Sequence, residues 1–134
     1  MKYSDLGLPL DLGAGVLRSG QFLINGGASV ITTGLQPGFF VCPFAGTITG
    51  VTLIANTSGS IQLDVWKAAT GNIPTSANTI VASDPPKLST AQQSTDTTLT
   101  GWTTTVSVGD VFAISVTSVS GISSLSVSLA ITAT

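Results

Sequence analysis

Residues 99–119 read LTGWTTTVSVGDVFAISVTSV. In the second half Phe112, Ile114 and Val116 alternate with Ala113, Ser115 and Thr117, which puts the three large apolar side chains on one face of a pleated strand. Gly109-Asp110 supplies the backbone freedom of a corner ahead of it. Before that corner, Trp102 and the threonines at 103–105 keep a β-favouring composition. The stretch therefore reads as two strands joined at a turn. Nothing in it is arranged for chemistry; its value is architectural.

The same period of two runs through the carboxyl-terminal two thirds. Leu125, Val127, Leu129 and Ile131 alternate with serines, Ala130 and Thr132 in a last strand that Gly121 introduces. Residues 47–56, TITGVTLIAN, form a strand with Val51 and Leu53 on one face, and the polar run 56–59 closes it as a turn. Residues 60–68, SIQLDVWKA, then point Ile61, Leu63 and Val65 inward and Gln62, Asp64 and Trp66 outward. Between them and residue 99 lies a long connection, 71–98, full of turn formers around one apolar patch, Ile80-Val81. A crossing of that length suits a Greek-key or jelly-roll route.

The first 45 residues are less regular. Residues 1–20 hold four glycines and Pro9 among leucines, a poor helix and an uncomfortable partner for water, so either an extended arm that docks on something or a disordered leader is expected. Residues 21–25 and 29–33, split by Gly26-Gly27, read as a short hairpin, and 39–44 (FFVCPF) as a compact strand that Pro43 places at an edge or an end. The expected fold is all-β: a jelly-roll-like antiparallel β-sandwich over 46–134, with 1–45 as an amino-terminal arm and attachment segment.

Composition bounds the function. The chain has 134 residues, of which only 7 % are charged, four Lys/Arg against six Asp, with no histidine. Its mean hydropathy is nevertheless positive. Soluble domains carry roughly 25–35 % charge on their surfaces, so much of this exterior is expected to face other protein. Lys2, Arg18, Lys67 and Lys87 are scattered and make no basic stripe for nucleic acid. No apolar run reaches membrane-spanning length, and Asp5 and Asp11 interrupt what would be a secretion signal. The single Cys42, in an apolar run, reads as a small buried hydrophobe.

The residue types for catalysis are sparse. Serines have no histidine to act as base. No Cys/His cluster or calcium-loop spacing of aspartates is present, nor any phosphate-loop or dinucleotide fingerprint. Asp64 and Asp96 could form the two carboxylates of a glycosidase, but Asp84, Asp96 and Asp110 stand in turn contexts where short acids cap backbone groups. No cofactor or metal is expected. Trp66 has three readings. It rests on a loop of its own molecule, or it anchors a subunit contact, where its roughly 200 Å² would be worth several kcal/mol, or it is a sugar-stacking platform.

Residues 64–90, DVWKAATGNIPTSANTIVASDPPKLST, and 97–116, TTLTGWTTTVSVGDVFAISV, resemble a module of tailed-bacteriophage virion proteins. The shared pattern is an aliphatic strand ending in Trp-Lys, a Gly-x-x-Pro-Thr turn, an acid-Pro-Pro loop, Leu-Thr-Gly-Trp-Thr-Thr, a Gly-Asp corner and a final alternating hairpin. It covers roughly 46–134. The resemblance implies a jelly-roll β-sandwich without enzymatic activity, found on capsid-decorating proteins, head fibres and tail fibres and often trimeric. A chain this short has no shaft for a long fibre, so the expected role is a homotrimeric capsid decoration or cement protein in the virion, assembled in the host cytoplasm. Its partners would be its own copies and the major capsid protein. Leu6, Leu8, Leu10 and Leu12 of the arm would grip the capsid, and Trp66 would anchor sandwich to sandwich. The rival implied by the same resemblance is a tail-fibre or head-fibre component that binds a host surface glycan through Trp66 or the loop at 72–78.

Overall fold

The computed structural model describes residues 17–134. Eight strands follow in order: β1 (Leu17–Asn25), β2 (Gly34–Leu35), β3 (Phe40–Val41), β4 (Gly46–Ala68), β5 (Lys87–Asp96), β6 (Thr105–Val106), β7 (Val111–Ser120) and β8 (Ser124–Ala133). All pairings are antiparallel. One 3-10 turn, Ser76–Asn78, is held by reciprocal bonds between Thr75 and Asn78.

The pairings resolve into four parallel tracks of chain. β4 is the central one, 23 residues long. Its first half pairs with β8 and its second half with β7, so β7 and β8 run along it as one strand interrupted at 121–123. The outer side of β8 and β7 carries β1, β2 and β3 in turn. The other side of β4 carries Thr79 as a single bridge to Trp66, then β5, then β6. Residues 17–45 thus lie in the same sheet as the rest.

The sheet curls because β4 doubles back. Thr105 stands opposite Thr47 at the start of β4, while Lys67 near its end donates to the Thr105 carbonyl. The bend falls near residues 55–59, where β4 and β5 lose register. At Gly59 a Cβ would sit 2.7 Å from both Ile122 Cγ1 and the Ser120 carbonyl oxygen, so the bend needs glycine. Facing it, Gly121 turns the β7–β8 track with φ +77, and Ile122 plugs the inside of the corner, fully buried. Inside the curl lie Ile61, Leu63 and Val65 of β4, Phe112, Ile114 and Val116 of β7, and Leu125, Val127, Leu129 and Ile131 of β8, all at or below 2 % exposure. These are the faces the alternation predicts.

Three expectations change. The run 56–59 is no turn but part of β4, and Asn56 uses its amide to bond the backbone of Ser123 and Ser124 at the facing corner. The hairpin of 21–25 with 29–33 does not form. Residues 21–25 belong to β1, which pairs with β8 from Leu17 onward, and after Gly26-Gly27 the chain docks Ile31 by its N–H on the Ile122 carbonyl. The connection 71–98 contains a ten-residue strand, β5, whose KLSTAQQSTD buries Leu88 alone; an edge strand with so little apolar surface gives no periodic signal. The stretch 99–119 holds two strands, β6 and β7, joined at a turn through Gly109-Asp110, and they pair with opposite sides of β4.

Candidate functional site: an apolar edge, a fixed tryptophan and a capped acidic turn

Nine large apolar residues are exposed among the described ones: Leu17, Leu23, Val30, Leu35, Phe39, Val41, Ile54, Ile73 and Val108. Six of the nine lie between residues 17 and 41, on the track formed by β1, β2 and β3 along one border of the sheet. Leu23 is 71 % and Leu17 65 % exposed. In β3 the alternation divides FFVC between two environments: Phe40 and Cys42 turn in, Phe39 and Val41 turn out. In sequence the run is apolar up to Pro43, so the outward pair carries no signal of its own. Cys42 is fully buried, its thiol directed at the Phe44 carbonyl 3.2 Å away. Leu6, Leu8, Leu10 and Leu12 lie outside the described residues.

Trp66 is partly buried on the outward face of β4. Its indole N–H donates to Asp64 Oδ2 at 2.8 Å. The other carboxylate oxygen, Oδ1, accepts the Thr79 hydroxyl, and Thr79 is the residue that bridges to Trp66 through the backbone. Ile80 donates its N–H to Val65, so the loop after the 3-10 turn is stitched along β4. The result is an indole held at one edge in a fixed orientation. Trp102, in contrast, is 8 % exposed and belongs to the core, its N–H donating to the Asp84 carbonyl at 2.8 Å.

The acids separate into individual tasks. Asp64 holds Trp66. Asp110, 5 % exposed, accepts the Ser107 N–H and faces Lys67 at 3.5 Å. Asp96 Oδ1 accepts the N–H groups of Thr98 and Leu99, closing a turn in which Leu99 takes the left-handed φ of +52. Asp96 neighbours Asp84, not Asp64, and both border a pocket of about 190 Å³ with Val51, Leu53, Lys87 and Ser94. The pair Asp64 and Asp96 is therefore not brought together. Among the described residues no group of three or more His, Cys, Asp or Glu is placed to hold a metal ion, and no helix is long and apolar enough to cross a membrane.

The Thr98 N–H first, and the Leu99 N–H next, hold the Asp96 carboxyl below its ordinary pKa; burial opposes them and the Asp84 side chain adds to them. A carboxyl with a depressed folded pKa stabilises the fold fully above its unfolded value, and that contribution fades as pH falls through the folded one. Asp96→Ala is accordingly expected to cost about 1 kcal/mol at neutral pH, the loss of one cap. The gap between variant and parent in thermal denaturation should narrow as the pH is lowered below about 4. A gap independent of pH would show that the cap acts without its charge.

No known protein family matches the chain, and no curated protein matches it either. Among solved structures, a chain of "Cyanophage Pam1 capsid asymmetric unit" is similar at 19 % identity, covering 92 % of this chain and 88 % of that one, with a TM-score of 0.34.

Proposed function

We propose that this protein is a non-enzymatic structural component of a tailed-phage virion, a homotrimeric decoration or cement protein whose curled sheet is a jelly-roll β-sandwich of the kind its sequence resembles. The observation that carries the reading is the border track 17–41: two thirds of the exposed large apolar side chains among the described residues sit there, on a chain with 7 % charge. Burying side chains as exposed as Leu17 and Leu23 in a subunit contact is worth about 1–2 kcal/mol each. Such a concentration is the mark of a surface covered by protein. The resemblance over 64–90 and 97–116 supplies the kind of assembly.

Sedimentation of the purified chain at micromolar concentration is expected to give three times the 13.4 kDa subunit mass. Leu23→Asp together with Val41→Asp should shift it to monomer without loss of β-sheet circular dichroism. A well-behaved parent monomer would remove the trimer. Capsids lacking the protein should lose thermal or osmotic resistance and regain it on addition of the purified chain. The rival reading, a fibre component that binds a host glycan, is favoured by one feature, the fixed and partly exposed indole of Trp66 beside the loop that carries exposed Asn72 and Ile73. Glycan-array binding abolished by Trp66→Ala, with capsid stability unaffected, would decide for it.

A further inference from the structure

A closed three-fold contact is heterologous: it joins one surface of a copy to a different surface of the next. The trimer proposed above therefore needs a second face to receive the border track 17–41. On the opposite border of the sheet lies β5, which has β4 as its one neighbour among the described strands, as β1 has β8. The two borders differ in charge. Between residues 17 and 45 Arg18 is the one charged residue, whereas 69–106 carries Asp84, Asp96 and Lys87. Asp64 is taken up by Trp66 and Thr79, and Asp110 by Lys67 and Ser107, so Asp84 and Asp96 are the described acids that give the β5 border its sign.

The pairing register sets these groups at matching heights. Gly20, Leu129, Val51 and Asp96 form one row across the sheet, and Leu23, Ser126, Ile54 and Gln93 form another. Arg18 stands two residues from the first row, about 7 Å along the strand, a distance that an arginine side chain spans. It falls in the inward set of β1 with Gly20, Phe22 and Ile24, and its guanidinium lies over the Phe44 ring. Asp96 shares the inward face of the buried Val51 opposite it. Asp96, Asp84 and Lys87 border the pocket of about 190 Å³ that Val51 and Leu53 also line, so that border keeps a net negative charge. On the second row Leu23 is 71 % and Ile54 46 % exposed, both on the outer face. Strand direction also agrees. β1 and β5 run in opposite senses, since β1 opposes β8, β8 opposes β4 and β4 opposes β5. Rotation about an axis along the strands preserves both height and sense, so β1 of one copy meets β5 of the next in the antiparallel order, the more stable of the two ladders.

We infer that the β1 border of one copy seats against the β5 border of the next around a three-fold axis along the strands, with Arg18 at the Asp84–Asp96 rim and Leu23 level with Ile54 and Gln93. The inference rests on the trimer reading and adds the face that the border track meets. A guanidinium can bond two carboxylates at once and relieves the repulsion between them. Such a pair sets orientation and register more than affinity, while the apolar side chains of the second row supply buried area. Three equivalent contacts of this kind cover both strand edges in every copy, and covering them removes the template that an open edge offers to further strands.

Charge reversal tests it, by sedimentation equilibrium of the full chain, of Arg18→Asp, of Asp84→Arg and of the double variant, each checked for β-sheet circular dichroism. Either single reversal is expected to weaken trimer association at least about tenfold, and the double variant should recover most of that loss because the pair is restored with its signs exchanged. Where a reversal unfolds the chain, Arg18→Gln and Asp84→Asn give the same reading through a double-mutant cycle in the association constant, which should show coupling between the two sites. Single variants that trimerise as tightly as the parent, a double variant no better than the singles, or a cycle without coupling would overturn the inference and leave the trimer standing on another contact. A monomeric parent would overturn both.

Discussion

Phe112→Ala is expected to lower the unfolding free energy by about 3–5 kcal/mol, the loss of an aromatic side chain's transfer energy plus the cavity left behind. Phe112 has no exposed surface. It stands on β7 opposite both Phe40 of β3 and Lys67 of β4, and its ring centroid lies 5.7 Å from that of Phe40. Phe40 in turn meets Phe22 of β1 edge-on at 6.0 Å, and its ring lies so close over Gly20 that a Cβ there would come within 2.5 Å of it. The three rings thus connect β1, which follows β8, to β3, which follows β7, across the inside of the curl. Domains of this size hold only about 5–15 kcal/mol in total, so the variant should remain folded at low temperature with a much earlier urea midpoint and an unchanged slope. Phe112→Leu, which keeps most of the volume, should cost about 1.5 kcal/mol or less. A loss under about 1 kcal/mol for alanine would mean that the aromatic column does not hold the two ends of the border track together.

The distinction between legible and illegible elements follows from side-chain chemistry. Strands that bury one whole face announced themselves: the inward Ile61, Leu63 and Val65, the alternating Phe112 to Val116 and the last strand all lie where the period of two puts them. β5 was invisible because its ladder to β4 is made by backbone, and a row of Ser, Thr and Gln looks the same in a loop as on an open strand. The bend in β4 reads as a turn because glycine and small polar residues serve both. Only the pairing of 55 with Leu125 on one side and of Ser60 with Ser120 on the other shows the strand carrying on. β1 gives a weak signal because only Gly20 and Ile24 are buried in it, with Phe22 partly so, and a glycine leaves one position of that alternation without an apolar side chain. At the site, the outward face that Asp64 and Trp66 share is readable from their neighbours, but the bond between them is not, because the Asp64 carboxylate is also held by Thr79 from a distant loop. The concentration of apolar exposure on 17–41 depends on which residues a curled sheet leaves uncovered, a property of the whole topology and not of any local window.

The second large effect is expected at Asp110. Asp110→Ala should cost about 3 kcal/mol, near the lower end for breaking a buried pair, because Lys67 keeps 17 % of its side chain exposed while that of Asp110 keeps 7 %. The carboxylate does two things at once. Its Oδ2 accepts the Ser107 N–H at 2.8 Å, which forms the corner, and it faces the Lys67 ammonium, which also donates to the Thr105 carbonyl. The Trp-Lys end of one strand and the Gly-Asp corner, 43 residues apart in sequence from Lys67 to Asp110, are therefore one device, which fastens the far end of β4 to the start of β7. Asp110→Asn can still accept the Ser107 N–H and should lose about half as much; a cycle with Lys67→Met should isolate a coupling above the 0–1 kcal/mol of exposed pairs. The same corner governs the apolar border, since both backbone groups of Cys42, next to β3, bond to it: its N–H donates to the Asp110 carbonyl and its own carbonyl accepts the Gly109 N–H. In Asp110→Ala the Cys42 amide should exchange faster than the core of β8 well below the unfolding transition, and the proposed assembly through the border track should weaken in step. Exchange at Cys42 that follows global unfolding alone would show that the corner and the border are not coupled.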